Sequence, residues 1–411
     1  MKKVLVLGAS ALALGIGTTA ARADDPLKLT LSGGAQEAFG YVGNPDNKNN
    51  LPAAANPGDH PGQIWQFGDG SIDFDAKTKL DNGITVEFNA ALNISGNADG
   101  GAAVGSGAPT INPGTAQIGT SSLFALKGIN DSENDWIAFS GSFGKLEMGD
   151  DFNAAFQVHN DAPYYGMVGG YNWGRNNGYI TGPAIAGSWA ADQNVMFDDY
   201  EATKVVYTTP SFAGIGMAVS YTPEAHSGDV CCGALDSNEA ISGGDDYSAA
   251  VFYKGDMGDA KVNLDAGYVF ENAGNTRGID LGASVSIHGF TIGGAFLNRA
   301  TTTSNASAAL KAGDGVGDTW DIGVGYETGP WGIGIGYMRS TWSAAGLAGF
   351  GGAAVTGNDS WQEVPGTVRY NLGPGITLNA EIGWESWHTT DGAPQDQISG
   401  MYLLGGTTVS F

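Results

Sequence analysis

The sequence is short of cysteine, of positive charge and of long apolar runs, and each shortage narrows what the chain can be. Its only two cysteines, Cys231 and Cys232, are neighbours. A disulfide framework needs spaced, paired cysteines, so none holds this fold together. Lysine and arginine number 18 against 43 aspartates and glutamates, a formal charge of −25. Phosphate neutralisation needs a basic surface, so nucleic acid is excluded as a partner. Beyond the first two dozen residues no apolar run approaches the ~20 residues of a membrane-spanning helix. That leaves strands free to cross a membrane, because barrel strands alternate and are weak signals one at a time. Histidine is scarce too, with five in all. His60, His159 and His226 fall in different long connections, His288 in a short turn and His388 at a strand end. They do not converge into a Ser–His–acid set. HExxH and phosphate-cradling patterns are also missing, so the expectation is a protein that is not an enzyme.

What is present points to order. Glycine is unusually common, 67 residues against a usual share of ~7%. Strong acidity can mark disorder, but 10 Trp, 15 Tyr and 17 Phe argue for a folded chain. The opening MKKVLVLGASALALGIGTTAARADD has a positive start, a short apolar run and an Ala21-Arg22-Ala23 processing pattern. Residues 1–23 therefore read as a signal peptide cleaved after Ala23, and 24–411 as one domain exported beyond the cytoplasmic membrane. Cleavage removes three basic residues and leaves a mature charge of about −28.

The dominant pattern in that domain has period two. In GITVEFNAALNIS, Ile84, Val86, Phe88, Ala90, Leu92 and Ile94 share one face, while Thr85, Glu87, Asn89 and Asn93 share the other. TWDIGVGYE and ITLNAEIGWESW repeat the arrangement, with charges on one parity only. Such alternation marks two-faced strands. The connections discriminate further, because they alternate between short and long. Asp81-Asn82-Gly83, His288-Gly289 and Gly329-Pro330 are short, whereas 96–133 and 151–201 are long. Tight turns at one end and long loops at the other are the layout of an outer-membrane barrel. Sixteen strands fit between these connections, from 27–42 to 397–411. An even count puts both termini on one side and lets the last strand pair with the first, removing edges that lipid cannot hydrate. The final strand GMYLLGGTTVSF keeps Met401, Leu403, Val409 and Phe411 on one parity. Phe411 is thus expected to face outward at the periplasmic rim, where aromatic residues are favoured, and Tyr402 to face inward.

Four segments are similar to one family. LKLTLSGGAQEAFGYV, GSFGKLEMGDDF (141–152), TKVVYTTPSFAGIGMAVSY (203–221) and the last strand resemble Gram-negative general porins. The likeness is greatest to the alphaproteobacterial sixteen-stranded type. The resemblance implies an all-β, sixteen-stranded antiparallel transmembrane barrel with long external loops and short periplasmic turns. It implies a homotrimer in the outer membrane, and a third external loop folded inward to narrow each pore. The terminal Phe411 also resembles the signal read by the outer-membrane assembly machinery. Residues 152–201 are the candidate constriction loop, and a connection this long normally has a function. Asp161, Asp192, Asp198, Asp199 and Glu201 would supply its acidic side. An alternative leaves the loop on the external rim or on a neighbouring subunit.

Selectivity in such a pore comes from its width and its rings of charge. On the charged parity lie Lys77, Lys79, Lys145, Lys204, Lys254, Lys261, Arg299 and Arg369. Against them stand Asp73, Asp75, Glu87, Glu147, Asp265, Glu271, Asp280, Asp321, Glu327, Glu363, Glu381 and Glu385. This acidic excess predicts a cation-preferring channel for small polar solutes and ions, with the alternative that most charges pair across strands. Trp320, Tyr326, Trp331, Trp384 and Phe411 are expected at the membrane interfaces, facing the bilayer and lipopolysaccharide. No cofactor is expected, apart from weakly bound Ca2+ or Mg2+ at external acidic loops. The rival readings are a solute-specific channel, for instance for a sugar, and a structural or divalent-cation-binding surface barrel. Arg339 points outward by parity, either above the hydrocarbon or through a bulge.

Overall fold

The computed structural model describes residues 27–42, 64–93, 132–167, 194–196, 202–223, 245–271, 276–301, 315–343, 358–388 and 397–411. The expected signal peptide (1–23), the external acidic loops and Cys231-Cys232 lie outside these residues. Sixteen strands follow in order. They are β1 (Lys28–Val42), β2 (Ile64–Lys79), β3 (Thr85–Asn93), β4 (Ser132–Gly141), β5 (Gly144–Asp150), β6 (Thr203–Thr208), β7 (Ile215–Thr222) and β8 (Asp246–Met257). The second half holds β9 (Ala260–Glu271), β10 (Thr276–Ile287), β11 (Phe290–Thr301), β12 (Gly315–Thr328), β13 (Trp331–Ser343), β14 (Asn358–Gly373), β15 (Ile376–His388) and β16 (Gln397–Ser410). One short helix, α1 (Ala154–Val158), lies between β5 and β6.

Each strand pairs antiparallel with its neighbours in sequence, and β1 pairs with β16, so the sheet closes as a barrel. Nine residue pairs, from Gly34↔Ser410 to Val42↔Tyr402, form that seam. Gly33 and Phe411 extend it by exchanging both backbone hydrogen bonds, at 3.2 and 3.1 Å. The last residue is therefore one half of the closing bond pair. Short turns suit the twist of the strands they join. At His288-Gly289 both residues have positive φ, 50° and 85°, the primed geometry that a two-residue hairpin favours.

Burial runs opposite to that of a water-soluble protein. Leu29, Leu31, Ile292, Ile322, Ile335 and Leu403 are exposed on the outer face, whereas Glu147, Asp280, Glu363, Glu381 and Glu385 are buried inside. Lipid rather than water suits that exterior. Aromatic pairs ring both ends of it. Phe290 with Tyr326 (4.3 Å between ring centroids) and Trp331 with Tyr370 (4.5 Å) sit beside the short turns. Trp320 with Tyr337 (5.0 Å) and Tyr221 with Tyr247 (5.2 Å) sit toward the long connections. Trp384, outward beside Met401 in the register, joins the second group, and Phe411 the first. Arg339 faces outward, exposed, and the β12–β13 register passes Trp320↔Arg339 without a shift. The bulge alternative for Arg339 is thereby removed.

Candidate functional site

The strand registers put all twenty charged residues named for the wall on the inner face, twelve acids and eight bases. Lys77 pairs with Glu87 across β2–β3, and Lys145 with Glu147 along β5. Arg369 holds Glu327 at 2.5 Å and lies 5.0 Å from the ring of Tyr165. Lys79 faces inward and is exposed near the turn end of β2.

The segment after β5 enters the barrel and follows this wall. Lys204 anchors its root, donating to the carbonyls of Asp151 and Ala202. It is almost wholly buried there, 2% exposed, so it holds the loop rather than facing the lumen. Asn153 caps α1 by accepting from the Phe156 amide. The amides of Ala154 and Ala155 donate to Ser220 on β7 and Ser248 on β8, at 3.0 and 2.9 Å. Ala155, Val158, Val195 and Met196 pack on Val206, Ala218, Ala250, Phe252, Val269 and Leu297, an apolar core inside the barrel. Further on, Asn160 donates to Asp265 on β9 (2.8 Å) and the Ala162 amide to Asp321 on β12 (2.8 Å). The Tyr165 amide donates to Thr367 on β14, and Asn379 on β15 donates to the carbonyls of Tyr165 and Gly166. The loop thus spans the inner wall from β5, where Gln157 donates to Glu147, to β16, where Met167 lies by Gly406.

Glycine makes this approach possible. A Cβ at Gly282 would overlap the Asn160 carbonyl oxygen; at Gly293 it would stand 2.5 Å from that of Asp161, and at Gly332 2.7 Å from the Tyr165 ring. A Cβ at Gly406 on β16 would lie 2.6 Å from Met167. Real Cβ atoms essentially never come within 3.0 Å of such neighbours, so side chains at Gly282 and Gly293, which meet backbone oxygens, would hold the loop off the wall.

Two polar clusters lie between loop and wall. In one, the Tyr402 hydroxyl shares its single proton between Glu363 and Glu381, and Tyr164 of the loop donates to Glu381. Trp361, also inward, donates to Glu385 at 2.7 Å. Tyr402 thus faces inward as its parity predicts, but under the loop, at 1% exposure. In the other cluster, His159 meets Asp265, Asp280, Asn194 and, through Asn194, Asp321. Burial by itself would push the imidazole pKa down, but Asp265 and Asp280 outweigh it and hold it up at about 10. His159 looked like one unclustered loop histidine in the sequence, since the carboxylates it meets, Asp265 and Asp280, lie more than a hundred residues away. Asp161 is described, with its carbonyl against the Gly293 backbone. Asp192, Asp198, Asp199 and Glu201 lie outside the described residues.

A barrel of sixteen strands leaves an aqueous lumen. A family model described as Gram-negative porin matches residues 8–386. No curated protein matches the chain. Among solved structures, OmpF of Salmonella typhi in complex with daunomycin superposes with a TM-score of 0.56 at 12% identity, over 95% of this chain and 100% of that one. The anion-selective porin of Comamonas acidovorans gives 0.54 at 15% identity, over 94% and 100%. The trimer form of OmpT from Vibrio cholerae gives 0.54 at 11%, over 94% and 100%. At these identities the structures share the fold alone. The family model spans nearly the whole chain, the barrel closes with sixteen strands, and the described part of its third long connection is folded inside: the chain belongs to the Gram-negative porin family.

Proposed function

We propose that the chain forms a water-filled, cation-preferring pore through which small hydrophilic solutes and ions cross the outer membrane. Family membership makes it an outer-membrane channel for passive diffusion. The observation that carries the finer reading is the charged inner wall, with twelve acids to eight bases among the residues named above. The chain-wide charge of −25 adds to it. Buried charges still act across a low-dielectric boundary.

A second reading has its own observation. Glu147, Asp265, Glu271, Asp280, Asp321, Glu363, Glu381 and Glu385 are buried, so on the wall that solutes reach Lys77, Lys79, Lys145, Lys254, Lys261 and Arg369 outnumber Asp73, Asp75, Glu87 and Glu327. That surface by itself would favour anions. Reversal potential across a salt gradient in planar bilayers separates the two. A cation-sided potential supports the proposal, and an anion-sided one transfers control to the exposed bases. Block of the current by one particular sugar would move the reading to a solute-specific channel.

Self-association is proposed at the short-stranded side. The strands β5, β6 and β7 have seven, six and eight residues, fewer than the ~9–11 needed to cross the hydrocarbon. A neighbouring copy would cover them, in line with the trimer that the resemblance implies. Chemical cross-linking in native membranes tests this, and N-terminal sequencing tests cleavage before Asp24. Lipopolysaccharide contact, recognition of Phe411 by the assembly machinery and Ca2+ or Mg2+ at external acidic loops remain parts of the same proposal.

A further inference from the structure

We infer that the root of the inward loop holds a binding site for a first-row divalent ion of the zinc kind, built from His159 Nδ1 and the carboxylates of Asp265 and Asp280. The three ligands come from the loop, β9 and β10, so no local sequence spacing announces them. Their donor atoms lie within 4.8 Å of one another. Nδ1 is 3.3 Å from Asp265 Oδ2 and 3.7 Å from Asp280 Oδ2. An ion with ligands at ~2.1 Å in a tetrahedron sets its ligands about 3.4 Å apart. The spacing already suits one.

These atoms face one another as an ion pair and have no hydrogen bond beside it. His159 Nδ1, Asp265 Oδ2 and both oxygens of Asp280 are buried without a hydrogen bond among the described residues. The three side chains are at most 1% exposed, where an unmet polar atom is costly. The atoms that face away from the site are, by contrast, engaged. Asp265 Oδ1 accepts from Asn160 Nδ2 at 2.8 Å. His159 Nε2 faces the Asn194 side-chain oxygen at 3.1 Å, and the Asn194 amide nitrogen donates to Asp321 Oδ2 at 2.6 Å. The Asp321 contact fixes which way the Asn194 amide points. Its oxygen can only accept, so Nε2 carries a proton; Nδ1 is turned toward the carboxylates, and a bound ion would take the place of the proton that Nδ1 shares with them. Outer partners of this kind set the tautomer and orientation of metal-binding histidines. One nitrogen and two carboxylates suit Zn2+, Co2+ or Mn2+ better than the all-oxygen preference of Ca2+. Bound there, the ion would tie the loop to β9 and β10.

The test uses the full-length protein, purified in detergent, with Co2+ as the probe. One Co2+ per chain is expected after exhaustive dialysis, with an imidazole nitrogen in the cobalt-edge absorption spectrum. His159→Gln and Asp280→Asn should each abolish stoichiometric uptake, and Asn194→Ala should weaken it about tenfold to a hundredfold. Far-UV circular dichroism reports whether each variant is still a barrel. Absent uptake, or unchanged uptake by folded His159→Gln and Asp280→Asn chains, overturns the site. So does an all-oxygen shell in the wild-type spectrum, a readout that depends on no variant folding.

Discussion

Replacing Gly293 by alanine adds one methyl group, yet it should disturb the pore more than most surface changes. The new Cβ would start 2.5 Å from the Asp161 carbonyl oxygen, inside the 3.0 Å that real Cβ atoms respect. That oxygen belongs to backbone and has no rotamer to yield, so the loop must retreat from the wall by at least half an ångström. Overpacking of this kind costs about 1–3 kcal/mol, which lowers the docked-to-undocked ratio of the loop roughly five- to 150-fold. The barrel itself should survive, because Gly293 keeps its partners Ser284 and Gly323 in the ladders on either side. Gly405→Ala is the matched control, since a Cβ there meets nothing within 4 Å. Both variants go into planar bilayers for single-channel conductance and current noise, and onto gels for heat stability of the barrel. Gly293→Ala should change conductance and raise noise while heat stability is kept; Gly405→Ala should match the wild type on every measure. Wild-type conductance and noise from a folded Gly293→Ala channel, or an equal effect from Gly405→Ala, would refute the idea that glycines seat the loop.

Asp321→Ala removes the acceptor of both the Ala162 amide and the Asn194 side chain. At about 1.5–3 kcal/mol for each bond to a charged group, it should free the loop more than Gly293→Ala, seen as faster protease cleavage within 152–201. Loop docking should also weaken as pH rises. Burial first, then the hydrogen bond and charge of Glu147, push the Asp151 carboxyl up to about 7, while a solvent-exposed one titrates at ~3.9. The docked loop therefore holds a proton that the free loop has released between those values, and docking loses stability from about pH 4 to 7. Current noise should be lower at pH 5 than at pH 8, with Asp151→Asn flattening the difference. Deleting Phe411 removes both bonds to Gly33, so yield on refolding from urea into detergent should fall, whereas Phe411→Ala, which keeps the backbone, should refold nearer to wild type.

Strand number and facing were legible in the sequence because period two is a local property. Ile84 to Ile94, Trp320 to Tyr326 and Met401 to Phe411 each announce an outer face without reference to any other strand. Alternating connection lengths then order the strands, and closure follows from the even count. The parity of Tyr402 and Arg339 holds in the structure for the same reason. The inner face was only half legible. Val206, Ala218, Ala250, Phe252, Val269 and Leu297 break the polar parity on strands β6 to β11, a visible irregularity that marks where the loop packs.

Which charges lie open and which lie covered is another matter. Lys204, Glu381 and Glu147 belong to the charged parity like Lys77, but only the loop's path buries them. That path joins residues far apart in the chain, as Asn160 with Asp265, Ala162 with Asp321 and Tyr164 with Glu381 are joined. Periodicity says nothing about such pairs. The abundance of glycine was plain from composition, yet its purpose at Gly282 and Gly293 is steric and shows only when a second backbone passes over the wall. The sequence by itself determined the barrel, its two faces and its closing seam, because these depend on neighbours along a strand. Only the tertiary structure decided the floor of the pore and the His159 cluster, because these depend on where a loop comes to rest.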